Sequence, residues 1–434
     1  MSSRPQKYYS DIARATATLR EDSVLQAELL FAQILKEWPG DAQAVGALVH
    51  LALMRDDTNR AFALFKEAVA LNPQDESLSL NLAQLYVGNG HSREAIDLLT
   101  KYLNAHPKFF LAWLSLGEIH ERNGNRLETL RSFFKAIRSA QSQGHWKDRI
   151  STAEHLVTRV LHAVNVTREG AYELLRDSYG AIRDEYGSLA VARVDLALAG
   201  ILNKPNVVPQ DERQKPKFLY IPNLPSTPYL DPFLQPWASR LKEGYSAIKI
   251  EALDLLKADQ KFEDFIAFPP NADRKGYLEG GALNPTWEAF FFYRHGKRYD
   301  ENHARCPQTS AVLESLDLYQ VTGHGPEICF SVLRPGTHIM PHFGVTNARV
   351  VMHLPLIVPT GCALNVIDAG EHKWAEGEPM MFDDTYQHEA WNRSDAVRVI
   401  LLMDCWNPHL SIPERKALKN LFLAFDEFQE FSLQ

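Results

Sequence analysis

The sequence predicts an α+β protein with an α-solenoid of helix hairpins in its first half and a β-sheet domain in its second half. A 34-residue period runs through the first half, which indicates stacked helical repeats. Later in the chain, short β-type runs are broken by Gly, Pro and Asn. A proline- and charge-rich segment, NKPNVVPQDERQKPKF (203–218), separates the two patterns. We therefore expect a repeat domain over 1–205, a linker over 206–217 and a β-domain over 218–434.

The first half places similar residues at equivalent positions every 34 residues. The aligned sets are Pro39, Pro73 and Pro107; Ala27, Ala61 and Ala95; and Phe31, Phe65, Leu99 and Phe133. This pattern resembles the tetratricopeptide repeat, in which small residues let two helices approach and proline ends the second helix. The W-x-x-L-G opening of that repeat is plainest at Trp113, Leu116 and Gly117, while Gly90 and Gly124 stand where hairpin turns are expected. The first unit, roughly 9–40, is degenerate, as terminal repeats tend to be.

The helical pattern continues beyond the repeats. Segments over 151–201 read as helices, and we expect them to pack on the last hairpin. Near the C-terminus, Ser411 and Glu414 form a capping-box pattern, which predicts the start of a final helix that runs through Phe425.

Composition excludes several classes of function. The formal net charge of −8 and the 23% of charged residues do not suggest a surface that follows nucleic-acid phosphates. The N-terminus has no apolar signal region, and no run reaches the roughly 18 apolar residues of a spanning helix. Four cysteines occur without CxxC spacing, which argues against a zinc site or a disulfide-rich secreted fold. We expect a cytoplasmic protein with no nucleic-acid partner and no membrane span.

Two histidines and an arginine in the second half form a candidate metal and anion site. His342 and His388 lie at separate strand-like segments, and Arg398 follows the second histidine by ten residues. This set suits an iron centre with a dicarboxylate co-substrate, since a guanidinium grips a carboxylate. Most such centres also use a carboxylate two residues after the first histidine, where this chain has Gly344. From spacing alone, packed or surface roles for both histidines stay open.

Strand alternation adds two further residues to this candidate site. In NARVVMHLPLIVP, residues Arg349, Val351 and His353 share one face of a strand. In AVRVILLMDCW, Arg398 shares a face with Ile400 and Leu402. If those faces line a barrel mouth, then Arg349, His353 and Arg398 point into one cavity with basic character.

The segment from Phe330 to Pro408 resembles the aspartyl/asparaginyl β-hydroxylase family of Fe(II)/2-oxoglutarate oxygenases. The resemblance rests on SVLRPGTHIMPHFGVTNARVVMHLPL, KWAEGEPMMFDDTYQHEAWN and VRVILLMDCWNP. It extends back to about Phe218, so it covers roughly half the chain, and animal members also carry tetratricopeptide-like repeats before the catalytic domain. The resemblance implies a double-stranded β-helix (jelly roll), an Fe(II) ion held by two histidines alone, and 2-oxoglutarate and O2 as co-substrates.

The resemblance also implies a role for each matching residue. His342 and His388 match the family's iron ligands. Arg398 matches the arginine that binds the distal carboxylate of 2-oxoglutarate, and Ser331 matches a serine that assists this arginine. His353 matches a histidine near the other end of the co-substrate, and Arg349 matches a basic residue of the site. One position departs from the family pattern. Val351 stands where a second basic residue is expected, which puts the family's acidic peptide substrate in question.

Other polar residues near the histidines have competing interpretations. His338 is an alternative metal ligand, although Pro341 and the turn around it favour a supporting or surface role. Asp383 or Asp384 could replace the missing carboxylate, but we favour turn stabilisation or a hydrogen bond to a ligand water.

These observations lead to one main functional hypothesis and two alternatives. The main hypothesis is a dioxygenase that hydroxylates the β-carbon of an Asp- or Asn-type side chain in a peptide or protein, with the repeats recruiting the substrate or a partner. The first alternative is an oxygenase of the same fold that acts on a small molecule, a lipid or a carrier-bound amino acid. The second is a repeat scaffold without catalytic activity.

Overall fold

The computed structural model describes residues 4–21, 23–202, 208–258, 262–266, 276–279 and 286–433. The chain divides into two compact units, Met1–Ala171 with Phe431–Gln434, and Tyr172–Glu430. The predicted boundary at 205 and the first two residues of the predicted linker lie outside the described residues.

The first unit is an array of antiparallel helices. They are α1 (Gln6–Arg20), α2 (Val24–Glu37), α3 (Ala42–Met54), α4 (Thr58–Leu71), α5 (Glu76–Gly88), α6 (Ser92–Ala105), α7 (Phe110–Arg122), α8 (Arg126–Ser142) and the start of α9 (Val157–Asp177). The helices α3, α5 and α7 begin 34 residues apart, and so do α2, α4, α6 and α8. The predicted tetratricopeptide-type repeats are therefore confirmed, with each repeated proline following the second helix of a hairpin.

Backbone geometry explains the glycines of the repeat. Gly90 and Gly124 adopt φ of 77° and 73° in the turns between the helices of two successive hairpins, a region that glycine enters without steric cost. One period earlier, Asp56 takes the same conformation with φ of 55°. On α7, Gly117 lies directly against the ring of Phe133, so that any side chain there would collide with it. Close packing of the two helices thus requires glycine at this position.

The second unit contains the remaining helices and all described strands. Its helices are α10 (Gly180–Tyr186), α11 (Ala192–Ile201), α12 (Ala238–Glu243), α13 (Tyr245–Lys257), α14 (Asp300–Arg305), α15 (Pro307–Glu314) and α16 (Ile412–Leu433). Its strands are β1 (Tyr229–Leu230), β2 (Glu263–Asp264), β3 (Leu278–Glu279), β4 (Trp287–Arg294), β5 (Lys297–Arg298), β6 (Ile328–Leu333), β7 (His338–His342), β8 (Arg349–Ile357), β9 (Cys362–Val366), β10 (Gly370–His372), β11 (Met380–Phe382), β12 (His388–Asn392) and β13 (Arg398–Trp406). No described helix combines the length and apolarity needed to cross a membrane.

The helices over 180–201 differ from the expectation that they pack on the last hairpin. The start of α9 does so, since Val160 and Ala163 join the cluster around Phe133. In contrast, α10 and α11 belong to the second unit, where α11 shares an apolar cluster with α16. Charge reinforces this packing, because Arg193 donates two hydrogen bonds of 2.6 Å to Glu414.

Glu414 is also the predicted capping residue of the final helix. It accepts hydrogen bonds from both the backbone N–H and the hydroxyl of Ser411, each at 2.8 Å. The Glu414 half of the predicted capping box is therefore formed, and the helix begins at Ile412, directly after Ser411 as predicted. The helix that it starts runs through Leu433, beyond the predicted Phe425.

The strands form two antiparallel sheets. The first has the order β1-β11-β8-β13-β6-β4-β2, with β5 paired to β4, and the second has the order β10-β9-β12-β7-β3. From β6 to β13 the chain passes back and forth between the sheets, with only β9 and β10 consecutive in one sheet. This connectivity agrees with the predicted double-stranded β-helix.

The two faces of β8 and β13 have different surroundings, which positions the site. One face of each strand, with residues such as Met352, Leu354 and Leu401, packs beneath α13 and α15 in the largest apolar cluster. The opposite face, with Val351 and Leu402, joins a cluster that includes residues of the second sheet. Residues that alternate with the outer apolar core therefore face the space between the sheets.

Candidate metal and co-substrate site

A cavity of about 430 Å³ lies between the two sheets. All six residues predicted for the site line it: Ser331, His342, Arg349, His353, His388 and Arg398. Strand alternation predicted that Arg349, His353 and Arg398 would share one cavity, and this geometry is confirmed. Their individual roles stay predictions.

His342 and His388 are brought together by strand register. His342 ends β7, His388 begins β12, and the two residues are direct partners in the antiparallel pair. Their ring centroids are 4.1 Å apart. In each ring Nδ1 lies 2.9 Å from the carbonyl oxygen two residues earlier, of Met340 and Tyr386 respectively. Because a carbonyl only accepts, Nδ1 carries the proton and Nε2 keeps a free lone pair.

Burial keeps both imidazoles in the neutral form that binds metal. Burial first, and then the neighbouring His342 and Arg349, lower the pKa of His388 to about 3. Burial also lowers the pKa of His342. Two neutral imidazoles with free Nε2 atoms are a donor set that suits divalent iron.

Asp384 occupies the space that a side chain at Gly344 would need. A Cβ atom at Gly344 would collide with the Asp384 carboxylate. Asp384 Oδ2 accepts from Arg349 Nη2 at 3.0 Å, whereas Oδ1 is buried and has no hydrogen-bond partner in the described structure. The described residues contain no cluster of three or more His, Cys, Asp or Glu that could hold a metal. The pair of histidines thus fits Fe(II) as a two-residue donor set, with a carboxylate nearby.

Arg349 is neutralised by two carboxylates. Its side chain is 12% exposed, and its Nη1 lies 2.7 Å from Asp404 Oδ1 in addition to the contact with Asp384. Although burial lowers the pKa of Arg349, these carboxylates outweigh it and raise the pKa above the ordinary value. Sequence reasoning missed Asp404. Alternation along β13 from Arg398 would have placed it on the cavity face.

Arg398 has no such neutralising partner. It is 1% exposed, and the described residues place no carboxylate within ion-pair distance of it. Its Nη1 donates a long hydrogen bond of 3.5 Å to Ser331 Oγ, and its Nε is buried without a partner. Burial lowers the pKa of Arg398 to about 10, so the guanidinium is charged at neutral pH. A buried unpaired cation is costly, which marks this end of the cavity as an anion site.

Two tryptophans hold the polar residues around Arg398. Trp287 Nε1 donates to Ser331 Oγ at 2.9 Å, which leaves the serine O–H available as a donor. Trp374 Nε1 donates to His353 Nδ1 at 3.3 Å, so the His353 proton sits on Nε2. Burial, with Arg398 nearby, lowers the pKa of His353 well below its usual value. His353 is therefore a neutral donor.

His338 and Asp383, the other polar residues considered for the site, have supporting roles outside the metal site. His338 Nε2 lies 2.7 Å from Glu389 Oε2, and His338 does not line the cavity. Asp383 Oδ1 accepts from the backbone N–H and the hydroxyl of Thr385 at 2.9 and 2.6 Å. Asp383 thus stabilises the turn before β12, as predicted.

Comparison with known proteins agrees with both halves of this description. Residues 242–408 match the family model described as aspartyl/asparaginyl beta-hydroxylase, and residues 52–119 match a tetratricopeptide repeat model. Residues 242–408 therefore resemble the aspartyl/asparaginyl beta-hydroxylase family, and tetratricopeptide repeats precede them.

Three curated relatives show the range of named functions. Aspartate beta-hydroxylase domain-containing protein 2 of Mus musculus is 34% identical over 49% of this chain and 60% of the relative. Aspartyl/asparaginyl beta-hydroxylase of Homo sapiens is 31% identical over 42% of this chain and 24% of the relative. Ornithine lipid ester-linked acyl 2-hydroxylase of Rhizobium tropici is 31% identical over 44% of this chain and 64% of the relative. The chain thus spans less than two thirds of the length of these relatives.

Among solved structures, the similarity is low. MamA is 20% identical with a TM-score of 0.27, over 32% of this chain and 77% of MamA. A tetratricopeptide repeat protein from Parabacteroides merdae is 14% identical with a TM-score of 0.29, over 46% of this chain and 75% of that protein.

Proposed function

We propose that this protein is an Fe(II)- and 2-oxoglutarate-dependent dioxygenase that hydroxylates a C–H bond of its substrate. One observation carries the proposal: a single cavity holds two neutral histidines with free Nε2 atoms and, on another wall, a buried guanidinium that has no carboxylate partner among the described residues. His342 and His388 are the proposed iron ligands, and Arg398 is the proposed anchor of 2-oxoglutarate.

The cavity residues divide the binding of the co-substrate among them. Fe(II) with 2-oxoglutarate and O2 supplies the oxidising power for an unactivated C–H bond. Arg398 offers its free Nε–H and a guanidinium charge to the distal carboxylate, and Ser331 adds an O–H donor beside it. His353 presents its Nε2–H to the co-substrate. Apolar walls that include Leu364, Phe382 and Leu402 exclude water from the cavity.

The β-carbon of an Asp- or Asn-type side chain in a peptide or protein is the first proposed target. The family match supports it, and the repeats suit recruitment of such a substrate or of a partner. A second candidate is a lipid or other small molecule. The observation in its favour is that Val351, which lines the cavity, stands where the family resemblance expects a basic residue, and a relative is named as an acyl hydroxylase.

Release of CO2 from 2-oxoglutarate in the absence of substrate tests the enzyme class. We expect turnover that requires both Fe(II) and O2, and that is lost in His388→Ala. His338→Ala is the matched control, because His338 lies on β7 with His342 but outside the cavity. A wild-type protein with no Fe(II)-dependent turnover would support the scaffold alternative.

Mass spectrometry then separates the two substrate classes. Candidate peptides and lipids are incubated with the active protein, and each is examined for the gain of one oxygen atom. A gain on Asp or Asn of a peptide supports the first target, whereas a gain on an acyl chain supports the second.

A further inference from the structure

Three cationic side chains among the described residues line the cavity, and their surroundings differ. Arg349 is neutralised by Asp384 and Asp404, and Arg398 is assigned to 2-oxoglutarate. Lys217 also lines the cavity. Within the described part of the chain, its ammonium has no ion pair and no hydrogen bond to another side chain. Among the described residues that line the cavity, Lys217 is therefore the cation that is neither in an ion pair nor assigned to the co-substrate.

Backbone hydrogen bonds fix the position of Lys217 beside the histidines. The Lys217 N–H donates to the Gly344 carbonyl at 3.1 Å, and the next residue, Phe218, donates to Val345 at 2.9 Å. Leu219 then forms a parallel bridge with Thr346. Lys217 consequently lies next to the segment that directly follows His342, while its side chain remains exposed to solvent.

The other described residues in this part of the cavity lining carry no unpaired cation. Phe343 and Val345 flank Gly344 with apolar side chains, and Val351 lines the wall between Arg349 and His353. The acidic groups that line the cavity already have partners: Asp384 and Asp404 contact Arg349, and Glu327 contacts His295 at 2.8 Å. An anionic group of a substrate that enters beside the histidines would therefore meet, among the described residues, the unpaired ammonium of Lys217.

We infer that Lys217 binds a carboxylate of the substrate at the mouth of the cavity and so orients the substrate toward His342 and His388. This inference rests on the proposed function and deepens it, because it selects an acidic peptide side chain as the substrate group. A single ammonium matches the single charge of a carboxylate. It also explains how an acidic substrate is held although position 351 is valine.

Lys217→Met tests the inference, with Lys215→Met as the matched control. Lys215 lies on the same segment, carries the same charge and rests over the Phe343 ring at 5.8 Å, but does not line the cavity. The probe is a fluorescent peptide with blocked ends and a single Asp, and its binding to the metal-free protein is measured by anisotropy. We expect Lys217→Met to weaken binding about fivefold, the size expected for an exposed ion pair, and Lys217→Arg and Lys215→Met to bind as wild type.

Two further arms identify the group that Lys217 contacts. The same peptide with Asn in place of Asp should bind with equal affinity to wild type and Lys217→Met. The KM for 2-oxoglutarate in turnover without substrate should also be unchanged in Lys217→Met. A raised KM would place Lys217 at the co-substrate and overturn the inference.

Other results would also contradict it. Wild type without affinity for the Asp peptide, equal weakening in Lys215→Met, or Lys217-dependent binding of anionic phospholipid vesicles but not of the peptide would each overturn the assignment. If the peptide result holds but no Fe(II)-dependent turnover occurs, the proposed function fails and the carboxylate site stands. If turnover occurs and Lys217→Met binds the peptide normally, only the carboxylate site fails.

Discussion

Arg349 and Arg398 line the same cavity, but their surroundings differ. The guanidinium of Arg349 contacts two carboxylates, at 2.7 and 3.0 Å. The guanidinium of Arg398 contacts a serine hydroxyl at 3.5 Å and lies 5.1 Å from the centroid of the Trp374 ring. One arginine has its charge neutralised within the protein, whereas the other has a charge that still needs an anion.

This difference separates a structural role from a ligand-binding role. An arginine with carboxylate partners holds those partners in place, and its removal leaves their charges buried. An arginine without partners carries an energetic cost that a ligand can offset. We therefore propose that Arg349 positions Asp384 beside the histidines and that Arg398 binds the co-substrate.

The largest expected effect is on stability. Arg349→Met should lower the free energy of unfolding by about 3 kcal/mol, because the charges of Asp384 and Asp404 then remain buried without a partner. Urea denaturation of the metal-free protein at neutral pH measures this change. Arg398→Met is the control and should unfold at a urea concentration no lower than that of wild type, since no carboxylate among the described residues depends on it and the cost of a buried unpaired charge is removed. Equal losses of unfolding free energy in both variants would contradict the distinction between a structural Arg349 and a ligand-binding Arg398.

The next effect is on co-substrate affinity. Arg398→Met should weaken the binding of 2-oxoglutarate by roughly 10- to 100-fold, the range expected when a hydrogen bond to a charged group is lost. Calorimetric titration of the protein loaded with Mn(II), which is inert toward O2 here, gives the dissociation constant. An unchanged constant would place the co-substrate elsewhere in the cavity.

Acid should destabilise the metal-free protein through the buried His388, which lines the same cavity as the two arginines. The pKa of His388 falls from 6.5 to about 3 on folding, so between these values the unfolded chain binds a proton that the folded chain does not. The contribution of neutral His388 to the free energy of unfolding is full above pH 6.5 and is lost as the pH falls toward 3. When the pH is lowered from 7 to 5, the free energy of unfolding of wild type should fall by about 2 kcal/mol more than that of His388→Gln. Parallel losses in the two proteins, measured by urea denaturation, would show that His388 is not buried in its neutral form.

The smallest effect concerns the serine beside Arg398. Ser331→Ala should weaken 2-oxoglutarate binding about fivefold, because one hydrogen bond contributes about 1 kcal/mol. The same calorimetric titration measures it. An effect as large as that of Arg398→Met would mean that the serine, and not the guanidinium, dominates the anion site.

Periodic features of the fold were predictable from the sequence. The prolines at 34-residue intervals predicted the repeats because every hairpin must end at the same point to stack on the next one. Alternation along β8 and β13 predicted which residues face the cavity, because it depends only on the two-residue repeat of a strand. The boundary near 171 was not predictable, because α11 is an amphipathic segment whose sequence does not show whether its partner is a hairpin or α16.

The electrostatic partners in the site were also beyond sequence reasoning. Arg349 and Arg398 look equivalent in the chain, since each lies at the start of a buried strand. Their difference arises from Asp384, which comes from the turn before β12, and Asp404, which lies further along β13. Likewise, the contact of Asp384 with Gly344 joins residues 40 positions apart. Only the tertiary fold brings these groups together.

Equilibrium binding of Fe(II) under anaerobic conditions tests the central claim most directly. Wild type and the control His338→Ala should each bind one ion, because His338 is paired with Glu389 outside the cavity. His342→Ala and His388→Ala should each bind the ion much more weakly, since each loses one of the two protein ligands. Unchanged affinity in both of these variants would show that the iron does not bind between β7 and β12.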